Sequence, residues 1–440
     1  MKRAILLAMV LVLAGAGTAQ SATQEFDVAG IPVILKSNAE IPVVSATFVL
    51  NGGLPYYGVD QAGLEPVLLM SAKKGTREYP KEQMQAILAR TGARLDNASL
   101  PDMSYLSLTC LRRDLDETWN VFASVIAHPE LDPDEVALVR ERQTNNVRQT
   151  KDDPDAYLSR LADELHFAGH PYAVSSDGTE EVLEKCTVQQ LRKYHAEHVN
   201  KARALVVIVG DVDRETAERL VTDGFGNLPE GSYSEDALTR PDRSADPDTR
   251  LTERELPTNY IMGRYEVPSL DDPDYAAIRV AHYILRDRVF EEVRTKRNLS
   301  YAPAAGISFR RDNYGYLYVS AVEPDTTIRV MLAEVRKMQD GEVSQKELAD
   351  QIKVQVTRYL MNQQTAGSQA EELGRWELLG GGWKGAENLV DHVRQVTVDD
   401  ITRVCQKYIQ NIDFVMLGDP QKWEDPLAAD QPAGETQSLD

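Results

Sequence analysis

Apolar residues recur along this chain with two periods, and the switches between them lay out a succession of strands and helices. Phe26-Asp-Val-Ala-Gly-Ile-Pro-Val-Ile-Leu-Lys36 predicts a hairpin about Ala29-Gly30. Val43-Val-Ser-Ala-Thr-Phe-Val-Leu50 is a β-branched run that Asn51-Gly52-Gly53 closes. Lys81 to Arg90 carries Met84, Ile87 and Leu88 on one side, and Gly92 stops that helix. Ala93–Ser99 and Met103–Arg112 read as paired strands. Leu115, Trp119, Phe122 and Ile126 mark Asp114–Ala127 as an amphipathic helix. Asp132-Pro-Asp-Glu135 caps a long polar helix running to about Thr150; Asp152-Asp-Pro154 interrupts it, and Ala156–Phe167 is helical again.

The pattern then repeats. Thr187-Val-Gln-Gln-Leu-Arg-Lys-Tyr194 is an N-capped helix that leads into the strand Ala204-Leu-Val-Val-Ile-Val-Gly-Asp211. Thr397-Val-Asp-Asp-Ile-Thr-Arg-Val404 leads in the same way into Phe414-Val-Met-Leu-Gly-Asp419. The chain therefore divides into two related halves of about 200 residues each. The boundaries expected are an N-terminal domain over 23–226, a Pro-, Ser- and charge-rich linker over 227–256, a C-terminal domain over 257–419 and an acidic tail over 420–440. Strands interleaved with helices predict an α+β architecture, each domain a mainly antiparallel sheet with helices packed on one face.

Composition adds limits. The chain has 440 residues, 42% apolar and 27% charged, which fits a globular protein of two or more domains. A net charge of −21 gives it a solvated acidic surface and argues against nucleic-acid binding, which needs a basic face. Met1-Lys-Arg-Ala-Ile-Leu-Leu-Ala-Met-Val-Leu-Val-Leu13 is a basic start followed by a short apolar run, and small residues follow through Ala22. That is the pattern of a secretory signal peptide over 1–22, too short for a membrane span, and it predicts a periplasmic or secreted protein. The three cysteines, Cys110, Cys186 and Cys405, are widely spaced and imply neither a disulfide framework nor a metal pattern.

Several residues invite a chemical reading. His195 and His198 form H-x-x-H near a helix end, a spacing a metal can use. No carboxylate helix accompanies them, and they read as structural or exposed. His166 and His170, in His166-Phe-Ala-Gly-His-Pro-Tyr172, read as loop structure. Gly380-Gly-Gly-Trp383 lacks the strand and the Lys-Ser/Thr of a phosphate loop and reads as a turn. No stretch resembles the G-x-S-x-G nucleophile elbow.

The stretch that decides the reading is Gly63-Leu-Glu-Pro-Val-Leu-Leu-Met-Ser-Ala-Lys-Lys-Gly-Thr76. Together with the two-fold repeat and the Val-Gly-Asp strand endings, it resembles the insulinase/pitrilysin metallopeptidases, including the short bacterial members and the mitochondrial processing peptidase subunits. In that family the segment carries H-x-x-E-H, two zinc-binding imidazoles and a general base on one helical face. Here the frame is kept while the three positions read Pro66, Leu69 and Met70, and none of these side chains binds Zn²⁺ or activates water. The family's third ligand, a Glu, falls in a later helix; the corresponding stretch here, Arg142-Gln-Thr-Asn-Asn-Val-Arg148, holds no carboxylate.

The resemblance extends to the second half. Asp274–Arg294 is a long helix with Ile278, Ala281, Leu285, Val289 and Val293 at helical spacing. Thr295-Lys-Arg-Asn-Leu-Ser-Tyr301 follows, similar to the family's Glu-x-Arg-x-x-x-Gly-Leu-x-Tyr. It places Arg294 and Tyr301 on the family's Arg/Tyr pair, which donates hydrogen bonds to the substrate peptide. Arg297 is the poorer candidate, and Asn298 stands where Gly is usual. The resemblance thus implies a chain with no metal of its own. It would pair with a zinc-binding H-x-x-E-H subunit and offer Arg294 and Tyr301 to a peptide substrate in trans. The alternative is a catalytically inactive structural or peptide-binding protein of the same fold. An active enzyme with a relocated metal site is a third reading, which stoichiometric zinc and cleavage by the lone chain would support.

Overall fold

The computed structural model describes residues 23–235, 238, 241 and 246–424. The signal-peptide residues 1–22 and most of the acidic tail, 425–440, lie outside the described residues.

The first sheet holds β1 (Thr23–Val28), β2 (Ile31–Ser37), β3 (Val43–Asn51), β4 (Arg94–Ser99), β5 (Met103–Leu111) and β6 (Ala204–Gly210), in the order β1-β2-β6-β3-β5-β4. The second holds β7 (Thr249–Glu253), β8 (Asn259–Glu266), β9 (Ala304–Ile307), β10 (Tyr314–Ala321) and β11 (Asp413–Gly418), in the order β7-β11-β8-β10-β9. Without β1 the two orders are the same, and in each sheet one pair, β2–β6 or β7–β11, is parallel while the rest are antiparallel. The repeat seen in the sequence is a repeat of topology. Strand β7 lies inside the 227–256 segment and forms the edge of the second sheet.

The helices of the first half are α1 (Gly53–Tyr57), α2 (Leu64–Ala72), α3 (Lys81–Thr91), α4 (Leu115–Ala127), α5 (Pro133–Gln149), α6 (Pro154–His166), α7 (Glu180–Lys185), α8 (Val188–His198) and α9 (Arg214–Phe225). Those of the second are α10 (Tyr275–Val289), α11 (Pro324–Gln339), α12 (Gln345–Asn362), α13 (Ala366–Leu379), α14 (Lys384–Gln395) and α15 (Val398–Tyr408). Local chemistry fixes their starts. Asp132 accepts from the backbone N–H groups of Asp134 and Glu135, and Thr187 and Thr397 form capping boxes with Gln190 and Asp400.

Each half packs helices on one face of its sheet, as expected, and lends a helix to the other face of its neighbour's sheet. Leu158, Leu161 and Ala162 of α6 meet Val415 and Leu417 of β11. Ala370, Leu373 and Trp376 of α13 join Val49, Leu205 and Val207 of the first sheet. This explains why β6 is buried at every position and β3 over Val44–Leu50: a strand covered on both faces has no solvent side to alternate with. The exchange was invisible to a reading that assigned each helix to its own half.

The helix expected over Asp274–Arg294 changes character near its end. After Val289 the chain makes a π-helical turn, Phe290–Thr295. It closes with Asn298 N–H on Arg294 O at 3.1 Å and Leu299 N–H on Val293 O at 2.9 Å. Asn298 has φ 51, the left-handed conformation that Gly or Asn tolerates. A period of 3.6 does not reveal such a bulge.

Candidate functional site

Helix α2 is set in place by a close backbone approach and a buried ion pair. Gly63, at its N-cap, has φ 93, and a Cβ there would lie 2.8 Å from Gly178 Cα. Pro66 sits in the first turn, where its missing N–H costs nothing. Leu64, Val67 and Leu68 enter the first core.

Glu65 is fully buried and accepts from Tyr194 Oη at 2.8 Å and Arg203 Nη1 at 3.1 Å. Arg203, also buried, donates Nε to Asn51 O at 2.7 Å and Nη1 to His198 O at 3.1 Å. Burial by itself would lower the Arg203 guanidinium, but Glu65 and Tyr194 beside it reverse the effect and hold it above its ordinary value. Burial, then the Glu65 carboxylate, pushes the Tyr194 hydroxyl far up. The pair ties α2 to α8 and to the start of β6.

The positions where a metal would be held carry no donors suited to it. Pro66 and Leu69 are buried and Met70 is half-buried. Leu69 points into an apolar pocket with Phe48, Leu50, Leu106 and Ile126. The residues present do not fit zinc. In α5, which packs on α2, Gln143 is buried and donates to Asp177 O at 2.8 Å, while Arg148 is exposed and pairs with Glu180 and Glu184. Among the described residues, no group of three or more His, Cys, Asp or Glu is placed to hold a metal ion.

The histidines go to separate partners. His195 Nε2 donates to Ile126 O at 2.7 Å, and His198 Nε2 meets Gln61 Oε1 at 3.2 Å. Burial lowers both pKa values; for His198, Arg203 adds to the effect. His166 Nδ1 bonds Asp413 Oδ2 at 2.7 Å and so joins the halves. His170 accepts from Tyr172 N–H at 3.2 Å. The Tyr172 hydroxyl donates to Asp102, whose carboxylate also accepts from Arg311 N–H at 3.1 Å. Gly380–Trp383 is a turn in which Trp383 Nε1 donates to Glu25 Oε2 at 3.1 Å, pinning β1. The three cysteines are buried and free, and burial raises the Cys186 thiol to about 11 and Cys405 to about 12.

Arg294 and Tyr301 do come together. Arg294 Nη1 donates to Tyr301 O at 2.7 Å, and the guanidinium lies 4.1 Å from the Tyr301 ring centre and 5.1 Å from that of Phe290. Tyr301 is 78% exposed. The pair is thus a stacked cation and phenol presented to solvent, with donors left for an incoming carbonyl. Arg297 is occupied: it shares Glu292 with Lys296, and hydrogen bonds from the two cations pull that carboxyl down to about 2.

Two charged clusters escaped the sequence reading, Glu65–Arg203 and the interdomain group in which Arg264 and Arg310 converge on Asp163. Glu65 lies inside the Gly63–Thr76 frame but at none of its ligand positions, and Arg203 has no motif around it. Only the fold shows that these charges are buried.

Family comparison turns this geometry into an identity. Residues 32–175 match the model described as Insulinase (Peptidase family M16), and residues 185–354 match the Peptidase M16 inactive domain. The chain belongs to the insulinase family. A Helicobacter pylori relative named Non-peptidase homolog YmxG is 20% identical over 434 residues, covering 96% of this chain and 100% of that one. Zinc protease PqqE of the same organism is 21% identical over 359 residues, covering 77% and 79%. The crystal structure of a peptidase M16 inactive domain from Pseudomonas fluorescens superposes with a TM-score of 0.83 at 20% identity, covering 90% of this chain and 98% of that one, and shows the shared insulinase-family fold. No helix among the described residues is long and apolar enough to cross a membrane.

Proposed function

We propose that this chain is the metal-free subunit of an exported, periplasmic insulinase-type peptidase. Its partner is a second chain with H-x-x-E-H, which holds the zinc and does the hydrolysis. This chain contributes Arg294 and Tyr301 to the bound peptide. The observation that carries the reading is the contrast between two sites in one molecule. Helix α2 keeps the family's frame with Pro66, Leu69 and Met70 where ligands and base would stand, while a half-buried Arg294 stacks on an exposed Tyr301 and has no carboxylate partner among the described residues. A guanidinium and a phenol held this way can donate to a peptide carbonyl as it gains negative charge. That Helicobacter pylori has both a relative named zinc protease and one named non-peptidase homolog supports a division between chains.

The test is cleavage by the co-expressed pair. Arg294→Ala and Tyr301→Phe should each lower kcat/KM by about 100-fold, the loss expected for an oxyanion donor, with the complex still assembled. Unchanged cleavage in both variants would remove the proposed role. The second reading is a structural or peptide-binding protein. It is favoured by the match to the non-peptidase homolog along that protein's whole length. Under it, no partner chain confers hydrolysis.

A further inference from the structure

The second half of the chain holds a pocket that the proposed function leaves unused. It has a volume of about 190 Å³ and sits between α10 and the edge strand β9. Arg279, Tyr283 and Arg286 line one side; Gly306, Phe309 and Tyr316 line the other. Three guanidiniums surround the Tyr283 ring, with Arg286 at 4.6 Å, Arg358 at 5.5 Å and Arg279 at 5.9 Å from its centre.

Little neutralises them. Among the described residues Arg279 donates one long bond, 3.4 Å, to Tyr275 Oη, and Arg286 pairs with its chain neighbour Asp287 at 2.9 Å. Glu372, which adds to the field at Arg279, is engaged by Arg375 at 3.2 Å and by Trp376 Nε1 at 3.0 Å. A chain of net charge −21 has acidic side chains to spare, yet this concave site collects cations. Gly306 lets the Tyr316 ring lie close against β9, since a Cβ there would be 2.7 Å from Tyr316 Oη. Phe309, 46% exposed, adds an apolar surface at the same site.

We propose that this pocket binds a carboxylate of an extended peptide, with Arg279 and Arg286 as its donors. The volume suits one side chain or one chain terminus. Guanidiniums bind carboxylates through paired N–H donors, and such charge-assisted bonds are the strong ones. The peptide assignment rests on the peptide-handling reading above. Strand β9 begins three residues after Tyr301, and Ala305, Gly306 and Ile307 of that strand line the pocket. Among the described residues strand β9 pairs with β10 alone and stands at the edge of its sheet.

The experiment uses the lone, full-length exported chain, so failure to pair with a zinc subunit does not affect it. Fluorescence anisotropy is read with four labelled probes: Ala-Ser-Ala-Glu-Ala-Ser and its Gln counterpart, each with a free or an amidated C-terminus. The expected result is at least about tenfold tighter binding when the recognised carboxylate is present. Dependence on Glu identifies a side-chain carboxylate, and dependence on the free terminus identifies the C-terminal one. Arg286→Gln and Arg279→Gln should each weaken that probe by about tenfold, while Arg394→Gln, which removes an exposed pair with Asp391, should change nothing. The Arg286 side chain is 31% exposed, so Arg286→Gln keeps the test valid if Arg279→Gln fails to fold. Equal binding of all four probes overturns the proposal, and so does undiminished binding by Arg286→Gln. Displacement by free glutamate at the same concentration as the peptide would overturn the peptide assignment.

Discussion

Replacing Glu65 by Leu and Arg203 by Met together should destabilise this protein less than the sum of the two single replacements. Both side chains are 0% exposed. In Glu65→Leu, Arg203 keeps its bonds to Asn51 O and His198 O but loses its counter-charge, and the Tyr194 hydroxyl loses its acceptor. An uncompensated buried cation costs about 3–5 kcal/mol, a large share of a stability of about 5–15 kcal/mol. In Glu65→Leu/Arg203→Met the charge is gone, and what remains unpaired is two carbonyls and one hydroxyl, each costing about 1–3 kcal/mol at most. The two substitutions should therefore couple by at least about 1 kcal/mol, with the double variant more stable than the sum of the singles. Urea unfolding followed by tryptophan fluorescence measures this as shifts in midpoint at constant slope. A Glu65→Leu midpoint within error of the parent, or strict additivity, would refute the argument. It would mean that α2 is held by apolar packing alone.

Other outcomes follow from single sites. His282 is buried, donates Nδ1 to Ile278 O and accepts at Nε2 from Tyr265 Oη, and burial lowers its pKa from 6.5 to about 4. The fold holds it neutral while the unfolded chain takes up a proton. Stability is therefore full above pH 6.5 and is lost as pH falls toward 4, by about 2 kcal/mol between pH 7 and pH 5. His282→Gln should remove that share of the pH dependence in urea unfolding; identical pH dependences would contradict it. Gly63→Ala should cost more than Gly92→Ala by about 1–3 kcal/mol. Both backbones have positive φ, but a Cβ at Gly63 meets Gly178 while one at Gly92 meets open space. Equal thermal shifts would show that the close approach relaxes freely. Arg294→Ala, on the surface, should leave stability within about 0.5 kcal/mol of the parent, and a larger loss would mark it as structural.

Much of the fold was legible because local signals agreed with it. Asp132, Thr187 and Thr397 announced helix starts that the structure confirms, and the alternation over Met103–Leu111 announced a half-buried strand. The frame around α2 was legible because Gly63 is required by a positive φ and a 2.8 Å contact. Arg294 and Tyr301 were found through a family pattern; spacing alone would not have shown the guanidinium stacked on the ring. What stayed hidden depends on tertiary placement. The exchange of α6 and α13 between halves, the Glu65–Arg203 pair and the arginine pocket at β9 join residues far apart in the chain or rest on shape. No periodicity encodes such encounters.

The measurement closest to the central claim is zinc content and peptide cleavage, made on the mature chain alone and on the chain co-purified with a zinc-motif subunit. The account predicts neither metal nor hydrolysis from the lone chain, and one zinc with cleavage from the pair. Stoichiometric zinc and cleavage in the lone chain would contradict it, because Pro66, Leu69 and Met70 supply no donors for that chemistry.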